Sequence, residues 1–254
     1  MPAAKVLLYC PTWEGADGLA ARPETLQALK ALGAAKIVIG TVNPFPGYDY
    51  RNVTAQYQNA WNLAAKYDYL LTIEHDIVPP ADALAQLLAM NKPVSFGVYA
   101  FRTRTVVTNA YRWVEGCHEP QMSLTMFPGE MKKARATGTV RVSGVGWGCT
   151  LIRADVMRQV QPRGDRDCDI HFAQDCIKNK IEMWANMNVH CAHYHGDKKI
   201  MPFDTDEVIA VHCNKSFVGR GMRHAARYVA GQDYKMPLRY FEEYRRAGYV
   251  EALS

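Results

Sequence analysis

No run of about 18 apolar residues occurs in the chain, so no helical membrane span is expected. The first ten residues hold one lysine and then Val6-Leu7-Leu8-Tyr9-Cys10, an apolar run too short for the core of a secretory signal. Pro11-Thr12-Trp13 is also a poor cleavage site, and the chain is expected to stay in the compartment where it is made. The seven cysteines are scattered, odd in number and free of any CxxC pair. That argues against a disulfide framework or a zinc ribbon and fits a reducing, cytoplasmic setting. GxGxxG, GxxxxGKS/T and HExxH are all missing, which speaks against dinucleotide, P-loop and zincin chemistry. There is no internal repeat and no low-complexity segment.

Acidic residues are sparse toward the C-terminus. The formal charge is +5. Between Asn214 and Tyr240, Lys215, Arg220, Arg223, Arg227, Lys235 and Arg239 stand against Asp233 alone. An anionic partner is one reading of this excess, and a solvated helix face is the other.

What is present is a strand–helix rhythm. The spacing predicts strands over 5–10, 36–42, 69–73 and 93–101, and helices over 22–32, 52–66 and 81–90. Such alternation implies an α/β fold with a mainly parallel sheet, whose ligands bind beyond the carboxyl ends of the strands. Residues 103–143 lose the rhythm and read as an excursion, a lid or acceptor loop. A glycine-rich turn then enters a strand over 142–153. A helix is expected over 169–180 and a strand over 182–189, and the tail from Thr205 reads as helical in pieces.

Glu74-His75-Asp76 is the sharpest local feature. Two carboxylates directly after a buried apolar strand are costly unless used, and hard oxygen ligands of this kind suit a divalent cation bridging two phosphates. The tripeptide alone also fits a strand end with solvated acids ahead of a helix. Gly146-Trp147-Gly148 allows close backbone approach, or is an ordinary turn. Asp175 can serve as a general base, with Asp169 and Asp167 as competitors, or as a capping or surface acid. His190, His193 and His195 follow an apolar strand in a density unusual for a core. A His–Asp–His zinc site is an alternative chemistry, ranked lower because no local zinc spacing is present.

The stretch Tyr67-Asp68-Tyr69-Leu70-Leu71-Thr72-Ile73-Glu74-His75-Asp76-Ile77-Val78-Pro79-Pro80 resembles the surroundings of the Asp-x-Asp motif in glycosyltransferases of the GT-A fold. It is most similar to the small family-2-type enzymes of bacteria and phages. Glu74 stands where the motif has Asp. Gly146-Trp147-Gly148-Cys149-Thr150-Leu151-Ile152-Arg153 is similar to the family's glycine turn and following strand. Phe172-Ala173-Gln174-Asp175-Cys176-Ile177 resembles its "E-D" helix start, with Gln174 in the place of Glu. Val189-His190-Cys191-Ala192-His193-Tyr194-His195-Gly196 resembles its late histidine segment. The resemblance covers residues 4–196.

The resemblance implies a GT-A-like Rossmann-type sandwich over 1–204, with 103–143 as the excursion, and a basic helical C-terminal extension over 205–254. It implies Mn²⁺ or Mg²⁺ held by Asp76, His193 and Glu74, with His195 as the runner-up histidine, and a nucleotide-sugar donor, a UDP-sugar first. Thr12, Glu14, Arg22, Asn59, Glu74 and His75 would line the donor. Gly146, Trp147 and Gly148 would approach the donor sugar and acceptor, and Asp175 would be the base of an inverting transfer. The acceptor is open among a glycan, a small molecule, a protein side chain and a hydroxymethylated base in phage DNA. In the last case the basic tail would bind phosphates in the cytoplasm of a bacterial host. A non-catalytic sugar- or nucleic-acid-binding module and a metal-dependent hydrolase are the rival classes.

Overall fold

The computed structural model describes residues 4–12, 21–46, 49–101, 104–202, 208–220, 225–237 and 244–252. In chain order its elements are β1 (Val6–Pro11), α1 (Pro23–Ala31), β2 (Lys36–Gly40), α2 (Arg51–Ala64), β3 (Tyr69–Ile73), β4 (Ile77–Val78), α3 (Ala83–Ala89), β5 (Val94–Val98), β6 (Ala100–Phe101), β7 (Arg104–Thr108), β8 (Tyr111–Arg112), α4 (Pro128–Thr137), β9 (Thr139–Gly144), β10 (Cys149–Arg153), α5 (Ala154–Met157), α6 (Cys168–Lys178), β11 (Met183–His190), β12 (Ala192–His195), β13 (Lys198–Ile200), β14 (Val208–Cys213), β15 (Phe217–Arg220), β16 (Ala225–Tyr228), β17 (Asp233–Pro237) and β18 (Val250–Ala252).

Eight strands form the central sheet in the order β2-β1-β3-β10-β5-β11-β9-β8. Only β10, wedged between β3 and β5, and β9 run against the others. The mainly parallel α/β sheet expected from the strand–helix rhythm is therefore present. Successive residues of β1 serve opposite faces. Leu7 and Tyr9 pack with α2 and α6 through Trp61 and Phe172, while Leu8 and Cys10 pack with α1 and α3 through Leu29 and Leu84. Burial on both faces is why β1 and β3 read as unbroken apolar runs. Each fully buried leucine contributes about 2 kcal/mol relative to exposure.

After α5 the chain climbs back along α2 in extended form. Trp61 Nε1 donates to Val160 O (2.9 Å), Gln58 Nε2 to Pro162 O (3.1 Å) and Thr54 Oγ1 to Gly164 O (2.7 Å). The three donors are spaced down α2 as the acceptors run up the chain. The ascent leads into α6, whose Phe172 joins the core on this face of the sheet.

Two expectations are corrected. The excursion over 103–143 is not a free loop: β8 and β9 belong to the central sheet, and the segment shares a third core. There Val107, Met126 and Phe127 pack with Val211, Cys213, Tyr234, Tyr244 and Val250. The described residues of the C-terminal extension carry β14 to β18 where helix was expected, with β17-β14-β18 forming one small sheet. The cause is legible in hindsight. Val208, Ile209 and Val211 are β-branched, and Val211 and Tyr234 need an apolar face to cover. Among the described residues of this region, 244–246 are helical, with Gly248 following at φ 72°. Arg223 and Arg239 lie outside the described residues.

Candidate active site

β3 is flanked by β1 and β10, and Glu74-His75-Asp76 emerge from its carboxyl end. The Ile77 N–H donates to Glu74 O (3.0 Å), closing a turn that breaks strand alternation. The two carboxylates therefore take different partners. Glu74 Oε1 accepts from the Tyr57 hydroxyl on α2 at 3.4 Å. Asp76, only 5% exposed, faces His193. The Cys10 thiol at the end of β1 is pushed up to about 12 by burial, then by the charges of Glu74 and Asp76.

His193 lies on β12, which pairs with β4 in the register His193↔Ile77. Its Nδ1 is 2.6 Å from the carbonyl oxygen of Ala100, which can only accept, so Nδ1 carries a proton. In the neutral ring Nε2 then presents a lone pair, and Asp76 Oδ2 stands 3.3 Å from it. At that separation the two atoms can share a proton or ligate one metal cation. Two ligands at about 2.1 Å from one cation and at right angles are about 3.0 Å apart, so the separation suits neighbouring positions in one coordination shell. One oxygen and one imidazole nitrogen form a donor set that Mn²⁺ accepts. Among the described residues, no set of three or more His, Cys, Asp and Glu side chains converges as metal ligands. Glu74 is not gathered with the pair among the described residues, and its Oε1 meets Tyr57. His195 is exposed near the β12–β13 turn, paired in register with Lys198.

Tyr99, just past β5, links the histidine to the glycine turn. Its ring meets His193 edge-on with centroids 5.4 Å apart, and its hydroxyl accepts from the Gly148 N–H at 3.3 Å. A Cβ on Gly146 would fall 2.1 Å from the Tyr99 hydroxyl oxygen, and one on Gly148 would fall 2.7 Å from the ring. The close approach that demands glycine is therefore made by Tyr99. Trp147 is 1% exposed and packs against Tyr57, Trp61 and Phe172. It is a core residue and not an exposed sugar platform. Burial first, then the Glu74 charge, drive the Tyr57 and Tyr99 phenols well above their usual range, so both are proton donors at neutral pH.

No family model and no curated protein sequence matches the chain. Solved structures do. The chain has the fold of A197 from STIV. That crystal structure superposes with a TM-score of 0.52 at 17% identity, over 79% of this chain and 95% of A197. UDP-glucose pyrophosphorylase complexed with UDP-glucose gives a TM-score of 0.42 at 9% identity, over 75% and 93% of the two chains. The likeness to A197 concerns the fold, and the site must be judged on its own residues.

Asp175 is held bidentately by Arg163 at 2.7 and 2.9 Å, and that guanidinium holds its carboxyl below the usual range. Gln174 Oε1 contacts His171 Nδ1 (3.2 Å) in the same surface network. Asp169 is different. Its charge acts on Tyr57, Tyr99 and Cys168, as does that of Glu74. It sits in the first turn of α6, where the ascent along α2 ends. Six residues separate it from Asp175, about 9 Å along the helix and about 120° around it.

The other expected donor contacts divide. Thr12 is 3% exposed. Its hydroxyl donates to Gly40 O (2.6 Å), its N–H donates to Gln56 Oε1 (3.1 Å) and its carbonyl accepts from Gln56 Nε2 (2.6 Å). Thr12 thus ties β1 to β2 and α2. Asn59 Nδ2 donates to the Tyr9 hydroxyl at 3.4 Å. The carbonyl of His75 accepts from the Arg22 N–H at 3.0 Å. Glu14 lies outside the described residues. Tyr99 escaped the sequence reading, although the carboxyl end of a strand parallel to β3 was a signal for it.

Proposed function

We propose that the chain is a glycosyltransferase that moves a sugar from a nucleotide-diphosphate sugar to an acceptor hydroxyl. The observation that carries this reading is the buried Asp76–His193 pair at the carboxyl end of a central strand, with the Nδ1 proton already committed to Ala100. Asp76 and His193 would hold Mn²⁺ or Mg²⁺, which when bound supplies Lewis-acid stabilisation to a diphosphate leaving group. Glu74, whose Oε1 meets the Tyr57 hydroxyl, leaves β3 in the same turn as Asp76. Asp169 is the base in this reading, because its charge acts with that of Glu74 on Tyr57 and Tyr99, while Asp175 pairs with Arg163 at the surface. Asp169 takes the proton of the acceptor hydroxyl as its oxygen attacks the anomeric carbon. The carbon–oxygen bond to the diphosphate breaks, and the sugar is transferred with inversion.

Thermal melting against a panel of UDP-, GDP- and TDP-sugars, with and without Mn²⁺, tests the reading. A donor at a hundred times its Kd stabilises by about 2.7 kcal/mol, a rise of roughly 5–10 °C, and the rise is expected only with Mn²⁺ present. Asp169→Asn should keep that rise and lose about 10²–10⁴ in transfer rate. A panel without any metal-dependent rise would remove the reading.

A further inference from the structure

Building on the reading of Asp76 and His193 as a cation site, we propose that Arg22 is a positioning residue for it. Arg22 braces the β12–β13 hairpin against the acidic turn instead of contacting donor phosphates. Its main chain and its side chain hold opposite parts of the site. The Arg22 N–H donates to the carbonyl of His75, inside the acidic turn, at 3.0 Å. Its guanidinium reaches the hairpin: Nη1 donates to Gly196 O at 2.5 Å, Nη2 lies 3.7 Å from Asp197, and the plane stacks 4.4 Å above the Tyr194 ring. Nε faces Glu24 at 3.4 Å.

The hairpin needs such a brace. Outside the hairpin, β12 pairs in register with β4 at two positions, Ala192↔Val78 and His193↔Ile77, and the His193 ring is also held by Ala100 O. Beyond them the Tyr194 N–H donates to Asp76 O at 3.0 Å. The seating of the hairpin thus helps set the 3.3 Å separation of His193 and Asp76. A planar fork that hydrogen-bonds at one edge and stacks on its face is a task lysine cannot perform. With its fork directed to Gly196 and Asp197 and its face to Tyr194, the guanidinium is spent within the protein.

Hydrogen exchange and Mn²⁺ titration of the full chain separate the two roles. In Arg22→Ala, amide exchange over residues 192–200 should rise about tenfold or more as the hairpin opens locally. Mn²⁺ affinity should fall about 10–100-fold, the range seen when a residue that orients a ligand is lost. Arg22→Lys, which keeps the charge and guards against a folding defect, should restore neither quantity. Tyr194→Leu, which removes only the stacking face, should reproduce part of the exchange rise. Unchanged exchange and Mn²⁺ affinity in Arg22→Ala, with weaker donor binding at saturating Mn²⁺ rescued by lysine, would overturn the brace in favour of a phosphate contact. A wild-type chain that binds no Mn²⁺ would sink the cation site itself. The exchange comparison would still decide whether Arg22 seats the hairpin.

Discussion

Asp76 and Asp175 both face nitrogen partners, yet the two pairs have opposite characters. Asp76 and His193 are nearly sealed from water, with side chains 7% and 6% exposed. The imidazole nitrogen that Asp76 meets can hold a proton, a metal or neither. Asp175 and Arg163 lie at the surface, and the guanidinium is permanently charged, so that pair is already neutral and complete. A buried carboxylate that meets an imidazole nitrogen can change what it holds. A surface pair that is already balanced fastens a loop to a helix. Burial and the identity of the partner, not the carboxylate itself, separate the two.

The largest test of this contrast is Asp76→Ala. Removing the carboxylate from the buried pair should lower Mn²⁺ affinity at least about a hundredfold and abolish donor turnover, read by calorimetric titration and initial rates. The fold should persist, since the change removes charge and not apolar packing.

An intermediate effect is expected at the turn beside the pair. Gly148→Ala places a methyl 2.7 Å from the Tyr99 ring and 3.0 Å from Ile77. Overpacking there should cost about 1–3 kcal/mol in denaturant titrations. Because Tyr99 also meets His193, Mn²⁺ affinity should fall with it. Loss of stability alone would show that the aromatic contact does not transmit to the histidine.

The smallest effect belongs to Asp175→Asn, at about 0.2–1 kcal/mol for a surface pair. Arg163 lowers the folded-state value of this carboxyl. Its contribution is therefore full above the ordinary carboxylate range and fades as pH falls through the lowered folded value. The variant should flatten that part of the acid limb of a stability–pH curve and leave transfer nearly unchanged. A large loss of transfer would reverse the contrast and restore Asp175 as the base.

Much of the site was legible because it grows from the parts of the chain whose burial is simplest. β3 is a pure apolar run, so the charges that follow it stand out. His193 was separable from His195 only in three dimensions, since both share strand parity and only one meets Ala100 and Asp76. The glycines at 146 and 148 were visible, but their cause was not, because Tyr99 is far away in the sequence. Asp175 fitted a motif, yet its fate depends on Arg163, twelve residues earlier and across a loop. The C-terminal strands were misjudged because their apolar faces are shared with the segment around Val107 and Phe127, and no local pattern announces such a partnership.

The ascent of residues 160–164 along α2 has one more consequence. Thr54, Gln58 and Trp61 act as rungs that set how high the next helix begins, and so where Asp169 stands above the sheet. Adding or deleting one residue between Val160 and Asp167 would shift the whole of α6 against fixed rungs. The length of this stretch works as a gauge for where α6 starts along α2.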